Sequence, residues 1–72
     1  MDRAVKRFGE NVRAARKAKG WTQEDLADRT DLAPVQISRI ERGVREIRLT
    51  TLLRLLSALE ISADSLLEGA RP

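Results

Sequence analysis

The segment QEDLADRTDLAPVQISRIER, residues 23–42, carries the clearest structural pattern in this chain. Its apolar residues have helical spacing on both sides of a break of three or four residues, and Pro34 suits the first position of a second helix. Ala27 is small where two helices must cross closely, and Leu32 fills the break between them. The inward-facing positions are Leu26, Ala27, Leu32, Ile37 and Ile40.

This pattern predicts a helix-turn-helix motif at about residues 23–42, and three further helices surround it. Before the motif, an apolar stripe with helical spacing covers about residues 3–19. After it, a leucine-rich helix begins near Leu49 and a short helix follows Ser62. We expect a single all-α domain over residues 1–72, with five helices and no strands.

The composition excludes several classes of function. The chain has 72 residues and contains no cysteine or histidine, which removes disulfides, thiolate or imidazole metal sites and histidine-dependent nucleophiles. No apolar run approaches the roughly 18 residues of a membrane span, and the N-terminus lacks the features of a secretory signal. We expect a cytoplasmic protein that is not an enzyme, does not enter a membrane, and uses no metal or cofactor.

The charge is unevenly distributed along the chain. Fourteen basic residues against eleven acidic ones give a net charge of +3 and a pI of about 10.2. Residues 1–20 carry seven basic and two acidic groups, residues 21–48 carry five and six, and residues 49–72 carry two and three. A basic domain of this kind is a candidate for nucleic-acid binding.

Three runs of sequence together indicate a family. Residues 21–27 are WTQEDLA, residues 37–43 are ISRIERG and residues 52–59 are LLRLLSAL. These runs resemble the Cro/repressor, or XRE-type, helix-turn-helix domain, over roughly residues 4–68. The resemblance implies a repressor-like five-helix domain that binds duplex DNA as a dimer, with its second motif helix in the major groove. Stand-alone chains of this length resemble restriction–modification controller proteins and small phage-type repressors.

Two positions depart from the family pattern. Asp31 stands in the turn where the family usually has glycine, and aspartate tolerates a left-handed backbone better than most residues. Ala33 replaces the usual serine or threonine before the second motif helix, which removes a cap worth roughly 1 kcal/mol. Pro34 compensates in part because it has no N–H to leave unpaired. We expect the turn to survive both changes.

The outward face of the second motif helix has the chemistry of base recognition. If Ile37 points to the core, a step of about 100° per residue directs Val35 and Arg39 away from it, with Gln36 and Ser38 beside them. Arginine pairs with guanine, glutamine pairs with adenine, and apolar groups contact the thymine methyl. We therefore predict base contacts for all four residues, with Gln36 and Ser38 also able to reach a phosphate.

Phosphate contacts are predicted on both sides of this helix. Gln23 begins the first motif helix, where unpaired N–H groups and the helix dipole attract anions. The resemblance implies that the glutamine at this position holds a backbone phosphate. Arg42, Arg45 and Arg48 follow the outward face, and we expect them to reach phosphates, although some of the three could be only solvated. Phosphate contacts position a protein on DNA, whereas base contacts specify the sequence.

Arg16 and Glu41 are charged residues on apolar helix faces. Arg16 follows Val12 by four residues and Glu41 follows Ile37 by four, so both lie on inner faces. Opposite charges on two inner faces predict a partly buried ion pair that orients the third helix against the first. The resemblance implies the same pair.

The leucines of the fourth helix span more of its circumference than one core-facing stripe needs. They cover an arc of about 160° on a helical wheel, from Leu55 to Leu53. We expect part of this surface to face a second subunit; the alternative is that all of it is core. The predicted interface residues are Leu53, Leu55, Ile61, Leu66 and Leu67.

These inferences predict a transcriptional regulator, associated with the nucleoid, that binds an inverted-repeat operator in double-stranded DNA as a homodimer. RNA polymerase is a further candidate partner, because a controller can activate as well as repress. One alternative is a DNA-binding antitoxin, although 72 residues leave no length for the usual toxin-binding segment. The other is a basic peptide that binds RNA or membranes, which the helix caps and the turn make less favourable than a folded domain.

Overall fold

The computed structural model describes residues 2–72, which form five α-helices and no strand. The helices are α1 (Arg3–Ala18), α2 (Gln23–Thr30), α3 (Pro34–Arg42), α4 (Leu49–Leu59) and α5 (Ala63–Leu66). α1 packs against α3, α4 and α5, whereas α2 packs against α3 and α4. The prediction of an all-α fold with five helices is confirmed, and the predicted turn joins α2 to α3.

Polar side chains determine where three of the helices begin. Asp2 accepts a hydrogen bond from the Ala4 backbone N–H at 2.7 Å at the start of α1. At α2, Thr22 Oγ1 accepts from the Asp25 N–H at 3.1 Å, and the Asp25 carboxylate accepts from the Thr22 N–H at 2.9 Å. This capping box satisfies two backbone donors, and the bond from the Thr22 backbone lowers the pKa of Asp25. Ser62 caps α5 with its hydroxyl.

The turn between α2 and α3 depends on Asp31. Its φ of 60° and ψ of 32° are left-handed, which is the conformation its place in the turn requires. The N–H of Leu32 donates to the Ala27 carbonyl oxygen at 3.1 Å, and the Leu32 side chain packs on the core. Because Ala33 has no polar side chain, the start of α3 is stabilised differently: Gln36 Oε1 accepts from the Ala33 N–H at 2.9 Å.

The hydrophobic core draws side chains from all five helices. It consists of Phe8, Val12, Leu26, Ala27, Ile37, Ile40, Leu55, Leu59 and Leu66. Burying an aliphatic or aromatic side chain of this size contributes on the order of 1.5–3 kcal/mol. All five inward-facing positions predicted for the motif lie in this core or pack against it.

Gly9 lets α1 and α3 approach each other through their backbones. A Cβ atom at this position would overlap the Ile40 carbonyl oxygen and lie 2.7 Å from the carbonyl oxygen of Glu41. Neither oxygen can move without moving α3, so a larger residue would separate the two helices. The glycine therefore sets the distance between α1 and the C-terminal half of α3.

α1 also holds the C-terminal segment of the fold. Asn11 Nδ2 donates to the carbonyl oxygens of Leu66 at 2.9 Å and Glu68 at 2.8 Å. Arg7 Nε donates to the same Glu68 oxygen at 3.1 Å. These bonds satisfy carbonyl groups at the end of α5, a helix too short to be stable by itself.

Two residues predicted to face a second subunit belong to the core. Leu55 and Leu66 are fully buried within a single chain, so the prediction that they form an interface is wrong. A helical wheel gives the width of an apolar arc, but it does not show which part of the arc the other helices cover. α1 and α2 both pack against α4, and α1 also packs against α5, which accounts for the two buried leucines.

Candidate nucleic-acid interface

Arg16 and Glu41 meet at the junction of α1 and α3. Arg16 Nε donates to Glu41 Oε2 at 2.6 Å, and Arg16 Nη2 donates to Glu41 Oε1 at 3.0 Å. Their side chains are only 9% and 3% exposed. Two such bonds fix the angle between the partners as well as their distance. The hydrogen bond with Glu41 raises the pKa of Arg16 above its usual range, so the guanidinium stays charged.

The ion pair belongs to a larger hydrogen-bond network. Arg16 Nη1 donates to the Trp21 carbonyl oxygen at 2.7 Å, which ties α1 to the segment that enters α2. Gln23 Nε2 donates to Glu41 Oε1 at 3.1 Å. Within residues 2–72, no buried side-chain nitrogen or oxygen lacks a hydrogen-bond partner. The side chain of Gln23, a predicted phosphate contact, is therefore attached to the buried ion pair.

A cleft of about 500 Å³ lies between α3, the loop after it and the first turns of α4. The cleft is lined by four of the residues predicted to contact DNA, namely Gln36, Arg39, Arg45 and Arg48. All four are exposed. The fold thus brings two predicted base-contacting residues next to two predicted phosphate-contacting ones.

The same cleft contains residues that the sequence pattern does not predict. Thr50 and Thr51 in the first turn of α4, and Arg54 one turn later, line its wall. Arg48, which precedes α4, makes no side-chain cap in the described chain, so N–H groups of the first turn remain available to an anion. The signal in the sequence was a single arginine inside a leucine-rich helix.

Val35, Ser38 and Arg42 lie outside this cleft. Val35 is 52% exposed, Arg42 is exposed and Ser38 is half-buried. Val35, Arg39 and Arg42 share one face of α3 because of their spacing. Arg39 is therefore the one of these residues that belongs both to the outward face of α3 and to the cleft.

Carboxylates limit the positive charge of these surfaces. Asp31 and Glu46 line the cleft beside its four arginines, which leaves the cleft positive overall. Glu24 and Asp25 occupy the first turn of α2, where they oppose the attraction of that helix end for an anion. A phosphate contact at Gln23 would thus depend more on the side-chain amide than on the helix dipole.

Exposed apolar side chains mark the candidate surface for a second subunit. Among the predicted interface residues, Leu53 is 54% and Leu67 39% exposed, and Ile61 is half-buried against the core. Leu49, which is not among the predicted interface residues, is 69% exposed and lies one turn before Leu53 on the same helix face. Leu67 lines a separate apolar cleft of about 320 Å³, together with Phe8.

A helix-turn-helix motif with an arginine-lined cleft beside its second helix defines the class of this protein. The helix-turn-helix family model matches residues 12–66, more than half of the chain. The chain belongs to this family, which is one of DNA-binding transcriptional regulators and not of enzymes.

Several similar proteins are restriction–modification controllers. The control protein C.SmaI of Serratia marcescens is 40% identical over 60 residues, which cover 83% of this chain and 71% of C.SmaI. The structure of the controller protein C.AhdI of Aeromonas hydrophila matches with a TM-score of 0.82 and 37% identity, over 86% of this chain and 94% of C.AhdI. The C.Esp1396I tetramer in complex with its natural 35 base-pair operator matches with a TM-score of 0.85 and 31% identity, over 94% of this chain and 90% of the C.Esp1396I chain.

Other relatives are longer than this chain. It spans about half the length of two HTH-type transcriptional regulators of Bacillus subtilis, covering 53% and 57% of them at 36% identity. No helix within residues 2–72 is both long and apolar enough to cross a membrane.

Removing one partner of the ion pair should destabilise the protein more than replacing both. Glu41→Met leaves the Arg16 guanidinium buried without a countercharge, and we expect it to lower the free energy of unfolding by about 3–5 kcal/mol. The double variant Arg16→Met/Glu41→Met has apolar side chains in both places, and its stability should lie within about 1 kcal/mol of the wild type. Urea denaturation of both single variants and the double measures this, and strictly additive losses would show that the two residues do not interact.

Proposed function

We propose that this protein is a sequence-specific transcriptional regulator that binds double-stranded DNA as a homodimer at an inverted-repeat operator. The observation that carries the proposal is the cleft in which Gln36 and Arg39 lie beside Arg45, Arg48 and Arg54. Side chains suited to base edges and side chains suited to phosphates occupy adjoining positions there. A duplex bound along this surface would receive α3 in its major groove.

Arg39 is the central base contact in this proposal. Its guanidinium can donate to both O6 and N7 of guanine, a pairing that discriminates strongly against other bases. Val35 and Ser38 extend the base contacts on the outward face of α3. The Gln36 amide nitrogen offers both of its N–H bonds to DNA, because the one hydrogen bond of this side chain is accepted by Oε1 from the Ala33 N–H. It suits an acceptor such as a purine N7 or a phosphate oxygen.

The phosphate contacts lie at three places in the fold. Arg45, Arg48 and Arg54 line the same cleft as Thr50 and Thr51 in the first turn of α4, and together they suit one strand of the backbone. Arg42 at the end of α3 and Gln23 at the start of α2 provide further contacts. None of these contacts reads sequence directly, so they hold the protein in register for Arg39.

The similar proteins support a controller role. C.SmaI is a control protein, C.AhdI and C.Esp1396I are restriction–modification controllers, and C.Esp1396I was crystallised as a tetramer on its operator. By analogy, this protein controls restriction–modification genes, resides at the nucleoid in the cytoplasm, and contacts RNA polymerase where it activates. These relatives favour a controller over an antitoxin.

We expect a homodimer because the surface of one chain that would contact bases is small. One α3 helix contacts only a few base pairs, whereas a two-fold dimer reads two half-sites about one helical turn apart. Since Leu55 and Leu66 are core residues, the interface in this proposal uses the exposed Leu53 and Leu67, with Ile61 at its margin. A two-fold interface uses the same patch on both subunits, so one substitution acts twice.

Arg39→Ala and Arg45→Ala form a matched pair, because each removes one positive charge from the cleft. We expect Arg39→Ala to cost about 1–3 kcal/mol at the preferred site and to relax selectivity at one base pair. Arg45→Ala should weaken binding to all sequences similarly and lower the salt slope of log K by about 1. Fluorescence anisotropy with duplexes selected from a random pool, at several salt concentrations, measures both. Equal, sequence-independent losses would contradict the assignment, and wild-type affinity that is flat between about 50 and 200 mM salt would contradict DNA binding itself.

A charge placed on the exposed leucines should separate the subunits. We expect Leu53→Glu and Leu67→Glu each to shift the protein toward monomers, because a carboxylate buried at the two-fold would be unpaired in both subunits. Helicity should be unchanged, since neither side chain belongs to the core. Ala14→Glu, on the exposed face of α1, is the matched control and should leave the dimer intact. Analytical ultracentrifugation with and without a palindromic duplex decides: one wild-type chain per full operator at saturation would contradict the dimer.

A further inference from the structure

We infer that the Arg16–Glu41 ion pair positions the side-chain amide of Gln23 for a DNA phosphate. The ion pair that orients α3 on α1 then also determines a contact with the DNA backbone at the start of α2. This inference rests on the proposed function, since Gln23 has a phosphate to contact only if the protein binds duplex DNA. It assigns to Arg16 and Glu41 a positioning role in binding, in addition to their place in the fold.

The geometry of the network carries the inference. Glu41 Oε1 accepts from Arg16 Nη2 at 3.0 Å and from Gln23 Nε2 at 3.1 Å, while Glu41 Oε2 is held by Arg16 Nε at 2.6 Å. The carboxylate is 3% exposed and bonded through both oxygens, so it is a fixed anchor. Gln23, by contrast, is only partly buried at the first position of α2. Its amide reaches from the surface to a buried acceptor.

The chemistry of the two groups fixes which way the amide points. A carboxylate only accepts hydrogen bonds, so it must face the NH₂ end of the glutamine amide and not the carbonyl end. The NH₂ group has two N–H bonds, and Glu41 takes one of them. The second N–H on the same nitrogen is the donor that remains for a phosphate oxygen. Glu41 therefore selects the orientation of the amide that suits an anion.

Because Glu41 restrains the Gln23 amide, the side chain loses less conformational entropy when the protein binds DNA. A free glutamine on a surface samples several rotamers, and ordering it at an interface reduces affinity. When Glu41 already holds the amide in the unbound protein, that ordering has taken place during folding. We expect removal of the anchor to weaken DNA binding by roughly two- to tenfold without loss of any charged contact.

Four proteins test the inference: the wild type, Gln23→Ala, Arg16→Met/Glu41→Met, and the triple variant that combines them. The double variant keeps the net charge and replaces the anchor with apolar side chains. Dissociation constants are measured on one duplex selected from a random pool. We expect Gln23→Ala to weaken binding in the wild type, and to weaken it by a clearly smaller factor when Arg16 and Glu41 are already replaced. The same factor in both backgrounds would overturn the inference.

The salt dependence separates positioning from a general distortion of the interface. If the anchor acts through the uncharged Gln23, the double variant loses affinity while the slope of log K against log salt is unchanged. A displaced α3 would instead lose arginine contacts and flatten the slope, which would contradict the inference. A wild-type protein without salt-dependent duplex binding would refute the proposed function, a result distinct from either of these.

A second measurement needs no variant to fold. Side-chain amide relaxation of Gln23 in the free wild-type protein reports whether the NH₂ group is held. The inference predicts an ordered amide, and order parameters below about 0.6, typical of flexible groups, would contradict it.

Discussion

The buried ion pair between Arg16 of α1 and Glu41 of α3 determines the orientation of α3, and therefore the direction in which its outward face points. Desolvation offsets much of the attraction in a buried ion pair, so its main contribution here is orientation rather than net stability. The two hydrogen bonds between Arg16 and Glu41 fix the angle between the two side chains. The bond from Arg16 to the Trp21 carbonyl extends this restraint to the start of α2. Through these bonds, the same residue of α1 holds both motif helices, α2 and α3.

Backbone contacts make this arrangement possible. Gly9 brings α1 against the carbonyl groups of Ile40 and Glu41, and Gly43 ends α3 with a φ of 66° where a Cβ would lie 2.6 Å from Lys6 Cα. The chain leaves α3 directly into the loop that leads to α4. Arg45 in that loop and Arg54 in α4 consequently line one cleft with Arg39. The cleft beside α3 is thus a product of close packing on the opposite side of the helix.

Much of the fold could be predicted because interactions between neighbouring residues determine where its helices begin, end and turn. Helical spacing, Pro34 at a helix start and the tolerance of Asp31 for a left-handed backbone all depend on neighbouring residues. The errors and omissions concern long-range contacts. Burial of Leu55 depends on which helices cover α4, and the bond from Gln23 to Glu41 joins residues 18 positions apart. The uneven charge along the chain does not indicate the cleft either, because the most basic segment, residues 1–20, contributes no lining residue to it.

We propose that DNA binds along α3 and the adjoining cleft rather than on the basic surface of α1. A titration of the ¹⁵N-labelled protein with its selected duplex, followed through backbone amide chemical shifts, tests this most directly. If DNA binds there, the largest shifts fall within residues 35–54 and at Gln23, and they saturate at one duplex half-site per chain. Large shifts confined to the exposed basic residues of α1, such as Arg13 and Lys17, with α3 unchanged, would contradict it.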